Sequence, residues 1–141
     1  MKKLIIVLIV STIAITGFGQ NKNIPDAVSN HFKSTYPNAQ DTDWDRENDS
    51  TYNVEFKSDG KKWEAYYAAD NSWIRTERDV SKNDVPQAVW DALSKSDHAA
   101  WKIDDVEEHQ TPQHPSVYEV EVEKDGQEVY LNFLPDGTMV K

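Results

Sequence analysis

One pattern of residues is written twice in this chain, so a fold that satisfies the first copy must also satisfy the second. The first copy opens Asn23-Ile24-Pro25-Asp26-Ala27-Val28 and the second Asp84-Val85-Pro86-Gln87-Ala88-Val89, an offset of 61, with Phe32 answered by Leu93. Further on, Tyr52-x-Val54-x-Phe56-x-x-Asp59-Gly60 is answered by Tyr118-x-Val120-x-Val122-x-x-Asp125-Gly126, now at an offset of 66. The second copy therefore carries five extra residues between these blocks. The stretch 109–115, His-Gln-Thr-Pro-Gln-His-Pro, is expected to hold them as a loop, because its two prolines break regular structure.

Each copy reads as a helix followed by strands. Ile24, Val28 and Phe32 recur every four residues, as do Val85, Val89 and Leu93, which is one face of an amphipathic helix packed on a core. Asn23 and Asp84 are expected to cap these helices, with Pro25 and Pro86 in the first turn, where a missing N–H is harmless. Tyr36-Pro37-Asn38 ends the first helix, and the second fades over 94–97. Alternation then takes over: Tyr52, Val54 and Phe56 point to the core, and Asn53, Glu55 and Lys57 point away. Asp59-Gly60 turns the chain into a return strand that buries Trp63, Ala65 and Tyr67. In the second copy Tyr118, Val120 and Val122 pair through Asp125-Gly126 with Val129, Leu131 and Phe133. A further turn at Asp70-Asn71, or Asp136-Gly137, leads to a last strand holding Trp73 and Ile74, or Met139 and Val140. An earlier strand is expected near 40–46 and near 102–107, with its register open. The fold class expected is α+β: two tandem αββββ repeats, each a helix packed on an antiparallel four-stranded meander whose other face is left open.

The N-terminus carries an address. Lys2 and Lys3 precede a nearly unbroken apolar run over 4–15 and then Gly17-Phe18-Gly19, the layout of a secretory signal peptide cut after Gly19. The run is shorter than the roughly 20 apolar residues of a spanning helix, so a retained anchor is the lesser reading and the only route to membrane attachment. The chain has no Cys, which excludes a lipoprotein anchor, disulfides and thiol nucleophiles. The expected division is a leader at 1–19, a first repeat at 20–80 and a second at 81–141, located in the periplasm or outside the cell. Without Lys2 and Lys3 the mature chain has 13 basic against 25 acidic residues, a net charge of −12. Nucleic acid, itself a polyanion, is not an expected partner. About 122 residues in two units must share a core or an interface, since domains of roughly 60 residues are marginal alone.

Groups suited to catalysis are few. No G-x-S-x-G, H-E-x-x-H or glycine-rich phosphate loop occurs, and His31, His98, His109 and His114 lack helical metal spacing. His109 and His114 share a stretch that could catch a metal, but the expected reading is an exposed, solvated loop. Asp41, Asp43 and Asp45, followed by Glu47 and Asp49, alternate like the oxygen ligands of a calcium loop. Arg46 and Tyr52 stand where that loop needs Gly and a bidentate Glu, so any calcium site here would have to be gathered along a strand. The open sheet face is the better candidate. Alternation places Asn53, Glu55, Glu64 and Tyr66 on it from the first copy, and Glu119, Glu121, Glu123, Glu128, Tyr130 and Asn132 from the second. Aromatic rings offer rigid contact area and carboxylates select cationic partners, so the residues expected to bind a partner are Glu55, Glu64, Tyr66, Glu119, Glu121, Tyr130 and Asn132.

The pattern Ile-Pro-x-x-Val, Phe32, Tyr36-Pro37-x-Ala39, Trp44, Tyr-x-Val-x-Phe-x-x-Asp-Gly, Ala65-x-Tyr67 and Trp73 behind a leader resembles the PepSY-like proteins exported by Bacteroidetes, a family similar in fold to the β-lactamase inhibitor protein. The second copy departs from it, with Asp97-His98 for Tyr-Pro and Met139 for the last-strand Trp. The resemblance implies two αββββ units side by side whose sheets form one broad binding surface. It supplies no catalytic residues and does not imply β-lactamase inhibition. Three functions follow as expectations: a non-enzymatic binding or inhibitory module for a protein or peptide, cationic by charge; a calcium-binding, calcium-regulated envelope protein, calcium being the only cofactor expected; and a small carboxylate-based enzyme. An uncovered sheet face or edge also leaves self-association open.

Overall fold

The computed structural model describes residues 23–140, so the expected leader lies outside the described residues. The elements run α1 (Asp26–Thr35), β1 (Gln40–Asn48), β2 (Thr51–Ser58), β3 (Lys61–Ala68), β4 (Trp73–Asp79), α2 (Gln87–Leu93), β5 (Lys102–Gln110), β6 (Val117–Lys124), β7 (Gln127–Phe133) and β8 (Met139–Val140). The α+β expectation holds, and the strands form one eight-stranded sheet in which spatial order equals chain order. Every neighbouring pair is antiparallel, including β4 with β5, which joins the two halves. Ala65 stands opposite Thr76 and Glu108 opposite Tyr118, with Arg78 opposite Glu108 between them. This continuous line of register puts both cores, and so both helices, on one face of the sheet.

The helices start later than their sequences suggest. Neither Asn23 nor Asp84 is a cap; Pro25 and Pro86 are the cap residues, extended at ψ of 139° and 137° with no side-chain cap bond. A proline disfavours the helical region for the residue before it, which opposes a helix reaching back over Ile24 or Val85, and each helix begins only after the ring. The hairpins β2–β3 and β6–β7 form as expected. Asp59 and Gly60 have φ of 51° and 74°, and Asp125 and Gly126 of 54° and 78°, the positive pair that a two-residue turn between twisted strands requires.

The two cores differ in chemistry. Beneath α1 the packing is aromatic: Phe32 meets Phe56 edge-on at 5.0 Å and Trp44 at 5.4 Å, and Tyr36 lies 4.7 Å from Phe56. Thr76, wholly buried, takes a hydrogen bond from Trp73 Nε1 at 3.0 Å and shares one with the Tyr36 hydroxyl at 2.7 Å. Beneath α2 the core is mainly aliphatic, built on Val89, Leu93, Val106, Val120, Val122 and Leu131 around Phe133. Between the two cores, on the helix side, an ion pair fills the seam. Arg78 Nη2 lies 2.6 Å from Glu108 Oε2, with the side chains 10% and 13% exposed. Ser116 Oγ donates to the other Glu108 oxygen at 2.9 Å, and the guanidinium sits 5.1 Å from the Trp63 ring.

The extra residues of the second half are divided differently from the expectation. Strand β5 lies 62 residues after β1 at both ends, so one residue enters before it and four enter the loop that follows. His109 and Gln110 belong to the strand, because β4 pairs Glu77 with His109 and Thr76 with Gln110. The loop expected at 109–115 therefore runs over 111–116, and His109 is a half-buried sheet residue rather than a solvated one.

Candidate functional site: the open face of the sheet

No helix packs on the other face of the sheet among the described residues. Val117 is buried there, the remaining side chains are half-buried or exposed, and they line up in rows across the strands. One row runs Asp43, Glu55, Glu64, Glu77, His109. A second runs Asp45, Asn53, Tyr66, Arg75, and a third Asp79, Glu107, Glu119, Asn132. Glu121 opposes Tyr130, and Glu123 opposes Glu128. The seven residues expected to bind a partner thus do share one face. Glu55, Glu64 and Tyr66 lie on the first half of the sheet, and Glu119, Glu121, Tyr130 and Asn132 on the second.

The two tyrosines have unlike surroundings. Tyr66 is half-buried, its ring 4.2 Å from the Arg75 guanidinium carbon. Burial, followed by the Glu77 and Glu64 carboxylates at its hydroxyl, drives its pKa far up. Arg75 also pairs with Glu77, and Asn53 Nδ2 donates to Glu64, so Tyr66 is fixed in a polar lattice. Burial works against the Arg75 charge, but the Glu77 carboxylate outweighs it and leaves the guanidinium pKa raised. Tyr130 is free of such a lattice: it is 54% exposed and reaches Glu121 Oε1 at 3.5 Å. The charge of Glu121 leads the causes that raise its pKa. Glu121 is raised in turn, by desolvation and then by Glu128 and Asp104.

Asp41, Asp43 and Asp45 are all exposed on edge strand β1. By register Asp43 and Asp45 face the open side, opposite Glu55 and Asn53. Asp41 sits where the register shifts, at φ 50°, and its carboxylate meets Lys57 Nζ at 2.7 Å. That contact and the lysine charge hold the Asp41 carboxyl below the usual carboxylate range. Among the described residues, the groups of three whose ligand atoms all approach within 4.8 Å are Glu77, Glu107 and His109, and Asp79, Asp105 and Glu107. The three aspartates of β1 are not such a group.

Arg75, Glu77, Asp79, Asp105, Glu107 and His109, which occupy the seam of this face, are absent from the sequence-based list. Two irregularities hide them. The register slips in β4 after Trp73, so Trp73 and Thr76, three apart, both serve the core and simple alternation misplaces Arg75 and Glu77. A second slip lies between Ile103 and Val106 in β5. The alternation Glu77-Arg78-Asp79, and Glu107-Glu108-His109, was the signal available. A cleft of about 310 Å³ lies between His109, Val117 and Asn132 and the 111–114 turn, and the two along the acidic rows are smaller. One, of about 190 Å³, is lined by Glu55, Lys62, Glu64, Glu77, Asp79 and Glu107 among others, and another, of about 180 Å³, by Asp105, Glu107, Glu119, Glu121 and Tyr130.

A sequence profile of the PepSY-like, β-lactamase-inhibitor-like family matches residues 20–70 and 50–141. A search of curated protein sequences finds no match. Among solved structures, the chain is similar to a protein of Bacteroides fragilis described as like the β-lactamase inhibitor protein, at 29% identity and a TM-score of 0.72, with 83% of each chain covered. It is also similar in fold to a DUF2874-family protein of Bacteroides uniformis, at 24% identity and a TM-score of 0.69, covering 84% of this chain and 87% of the other. A third similar fold is that of a Bacteroides eggerthii protein for which a periplasmic location has been suggested, at 23% identity and a TM-score of 0.66, covering 83% and 86%. No helix among the described residues is long and apolar enough to cross a membrane. From its repeated motifs, its sheet and these likenesses together, the chain belongs to the PepSY-like, β-lactamase-inhibitor-like family.

Proposed function

We propose that this protein is an exported, non-enzymatic binding module, periplasmic or secreted, whose two αββββ repeats present one acidic sheet face to a cationic protein or peptide segment. The observation that carries this reading is the direct opposition of like charges across the strands: Glu55, Glu64 and Glu77 in one row, and Asp79, Glu107 and Glu119 in another. Like charges directly opposed in a sheet cost stability, and a lysine- or arginine-bearing partner laid along the rows relieves that cost. The leader-like segment 1–19 supports export. The two clefts along the acidic rows, of about 190 and 180 Å³, fall below the roughly 300–1,000 Å³ that small-molecule sites usually hold, which supports a macromolecular partner there. The inhibitor-like fold of the family supports binding without chemistry.

Calorimetric titration with an unstructured Lys/Arg-rich peptide of about fifteen residues tests the reading, with an acidic peptide of equal length as comparison. Binding of the basic peptide is expected at low ionic strength, to weaken at least tenfold between 50 and 200 mM salt in the way roughly expected of screened surface charges, and to fall further in Tyr130→Ala with Glu119→Gln. Equal binding of the acidic peptide, or affinity indifferent to these substitutions, refutes it.

A further inference from the structure

We propose that Glu77, Glu107 and His109 form a binding site for a first-row divalent transition metal, with zinc as its type, at the seam where the two halves of the sheet meet. His109 stands directly opposite Glu77 in the β4–β5 pairing, and Glu107, two residues earlier on β5, shares its face. His109 Nε2 lies 2.8 Å from Glu107 Oε2 and 3.8 Å from Glu77 Oε2. In a tetrahedral site with metal–ligand distances of about 2.0–2.2 Å, neighbouring ligand atoms stand roughly 3.3–3.6 Å apart, so the observed spacings bracket what the ion needs. Small side-chain rotations suffice to admit it.

The donor set is more than a group of acids. An imidazole nitrogen with two carboxylate oxygens suits zinc and its neighbours, whereas calcium takes six to eight oxygens and gains nothing from a histidine. Two of the ligands are well supported by the sheet: the His109 and Glu77 side chains are each 14% exposed, and Glu107 is 35% exposed. Three protein ligands would leave a fourth position for water or a partner's side chain. Carboxylate oxygens of Asp79, Asp105 and Glu107 lie within 4.8 Å of one another, so the surroundings are strongly negative. Opposing charge comes from Lys62, which lines the same cleft, and from Arg75, which pairs with the Glu77 oxygen nearest His109 and must give way when the ion enters. The other described histidines, His31, His98 and His114, belong to no comparable group.

The test uses the purified protein with zinc chloride alone, so it contains no peptide and its outcome is separate from that of the partner reading. Calorimetry is expected to show one equivalent bound with micromolar affinity, and cobalt(II) to give visible d–d absorption displaced by zinc. His109→Ala and Glu107→Gln, each checked for an unchanged circular dichroism spectrum, are expected to weaken zinc at least tenfold, while His98→Ala leaves it within twofold. Arg75→Gln is expected to tighten it severalfold by freeing Glu77. Absence of binding at 100 μM zinc, binding indifferent to His109→Ala, or displacement by an equal concentration of calcium overturns the proposal.

Discussion

Gly137 is the position at which a single methyl group should do the most damage. It stands in the turn between β7 and β8 at φ 85°, and a Cβ there would lie 2.4 Å from the Ala88 carbonyl oxygen and 3.0 Å from its carbon. Both are backbone atoms of α2, so no side-chain rotation relieves the clash, and the helix or the turn must move. Gly60 and Gly126 provide the comparison: they have φ of 74° and 78°, but a Cβ at either meets nothing within 4 Å. Ala in the left-handed region costs about 1–2 kcal/mol, and forced overpacking adds about 1–3 kcal/mol. Gly60→Ala and Gly126→Ala should therefore each cost about 1 kcal/mol and Gly137→Ala about 3 kcal/mol, a melting-temperature loss of about 4 °C against about 12 °C. The first half of the molecule sharpens the comparison. Its equivalent turn carries Asn71 at φ 71°, whose carbonyl lies 3.3 Å from His31 Nδ1, so the same bend there already accommodates a side chain. Asn71→Gly should be nearly neutral and Gly137→Asn as harmful as Gly137→Ala. Chemical denaturation of these variants decides the matter. If Gly137→Ala loses no more stability than Gly126→Ala, contact between turn and helix is not what fixes the glycine.

The seam ion pair predicts non-additivity. Glu108→Ala strands Arg78 beside the Trp63 ring and should cost about 3 kcal/mol, whereas Arg78→Met with Glu108→Leu should lie within about 1 kcal/mol of the native protein in a denaturation double-mutant cycle. Thr76→Val keeps the shape but removes the partner of both Trp73 Nε1 and the Tyr36 hydroxyl, with an expected loss of about 2 kcal/mol by urea unfolding. Burial raises the pKa of Tyr36 and Tyr67, and burial with nearby carboxylates raises that of Tyr66. Their protonated forms are thus favoured in the fold, and that contribution is complete below the unfolded tyrosine value of about 10 and lost as pH rises toward the folded values. Thermal melts from pH 8 to 11 should show stability falling above pH 10, with a shallower fall in Tyr67→Phe. The opposite sign applies to Asp70 and Asp136, whose pKa values are lowered by Ser72 and Thr138. Their contribution is present above the unfolded value of about 3.9 and disappears as pH falls through the folded values, so Asp136→Asn should flatten the acid limb of the melting curve.

Where side-chain period and turn chemistry agreed, the sequence was enough to place an element. Tyr52, Val54 and Phe56 alternate cleanly into Asp59-Gly60, and the strands and turn stand where that pattern puts them. The face assignment of Glu55, Glu64, Glu119 and Tyr130 followed for the same reason. Legibility stopped where pairing between the halves took control. His109 carries prolines on its C-terminal side and reads as loop, but Glu77 across the ladder holds it in β5. The slip after Trp73 reverses the parity of β4, so counting on from Trp73 puts Arg75 and Glu77 on the wrong face, and only the alternation within 77–79 and 107–109 points to the cluster at the seam. Tyr66 carried a similar ambiguity. Its alternation gave the correct face, but only the contacts of Arg75, Glu64 and Glu77 show that it is fixed in place, while Tyr130 is the ring open to an incoming partner.

Because each strand pairs with the one made just before it, this sheet can grow by addition. No strand has to wait for a distant stretch of chain to complete it, and loop-closure entropy is met in short instalments. A chain that emerges gradually from its N-terminal end can therefore fold α1 onto β1–β4 first and use the finished edge of β4 as the template on which β5 is laid. The seam at Arg78 and Glu108 would then be set early in folding of the second half, and damage there should slow its folding more than damage at β8, the last strand to arrive.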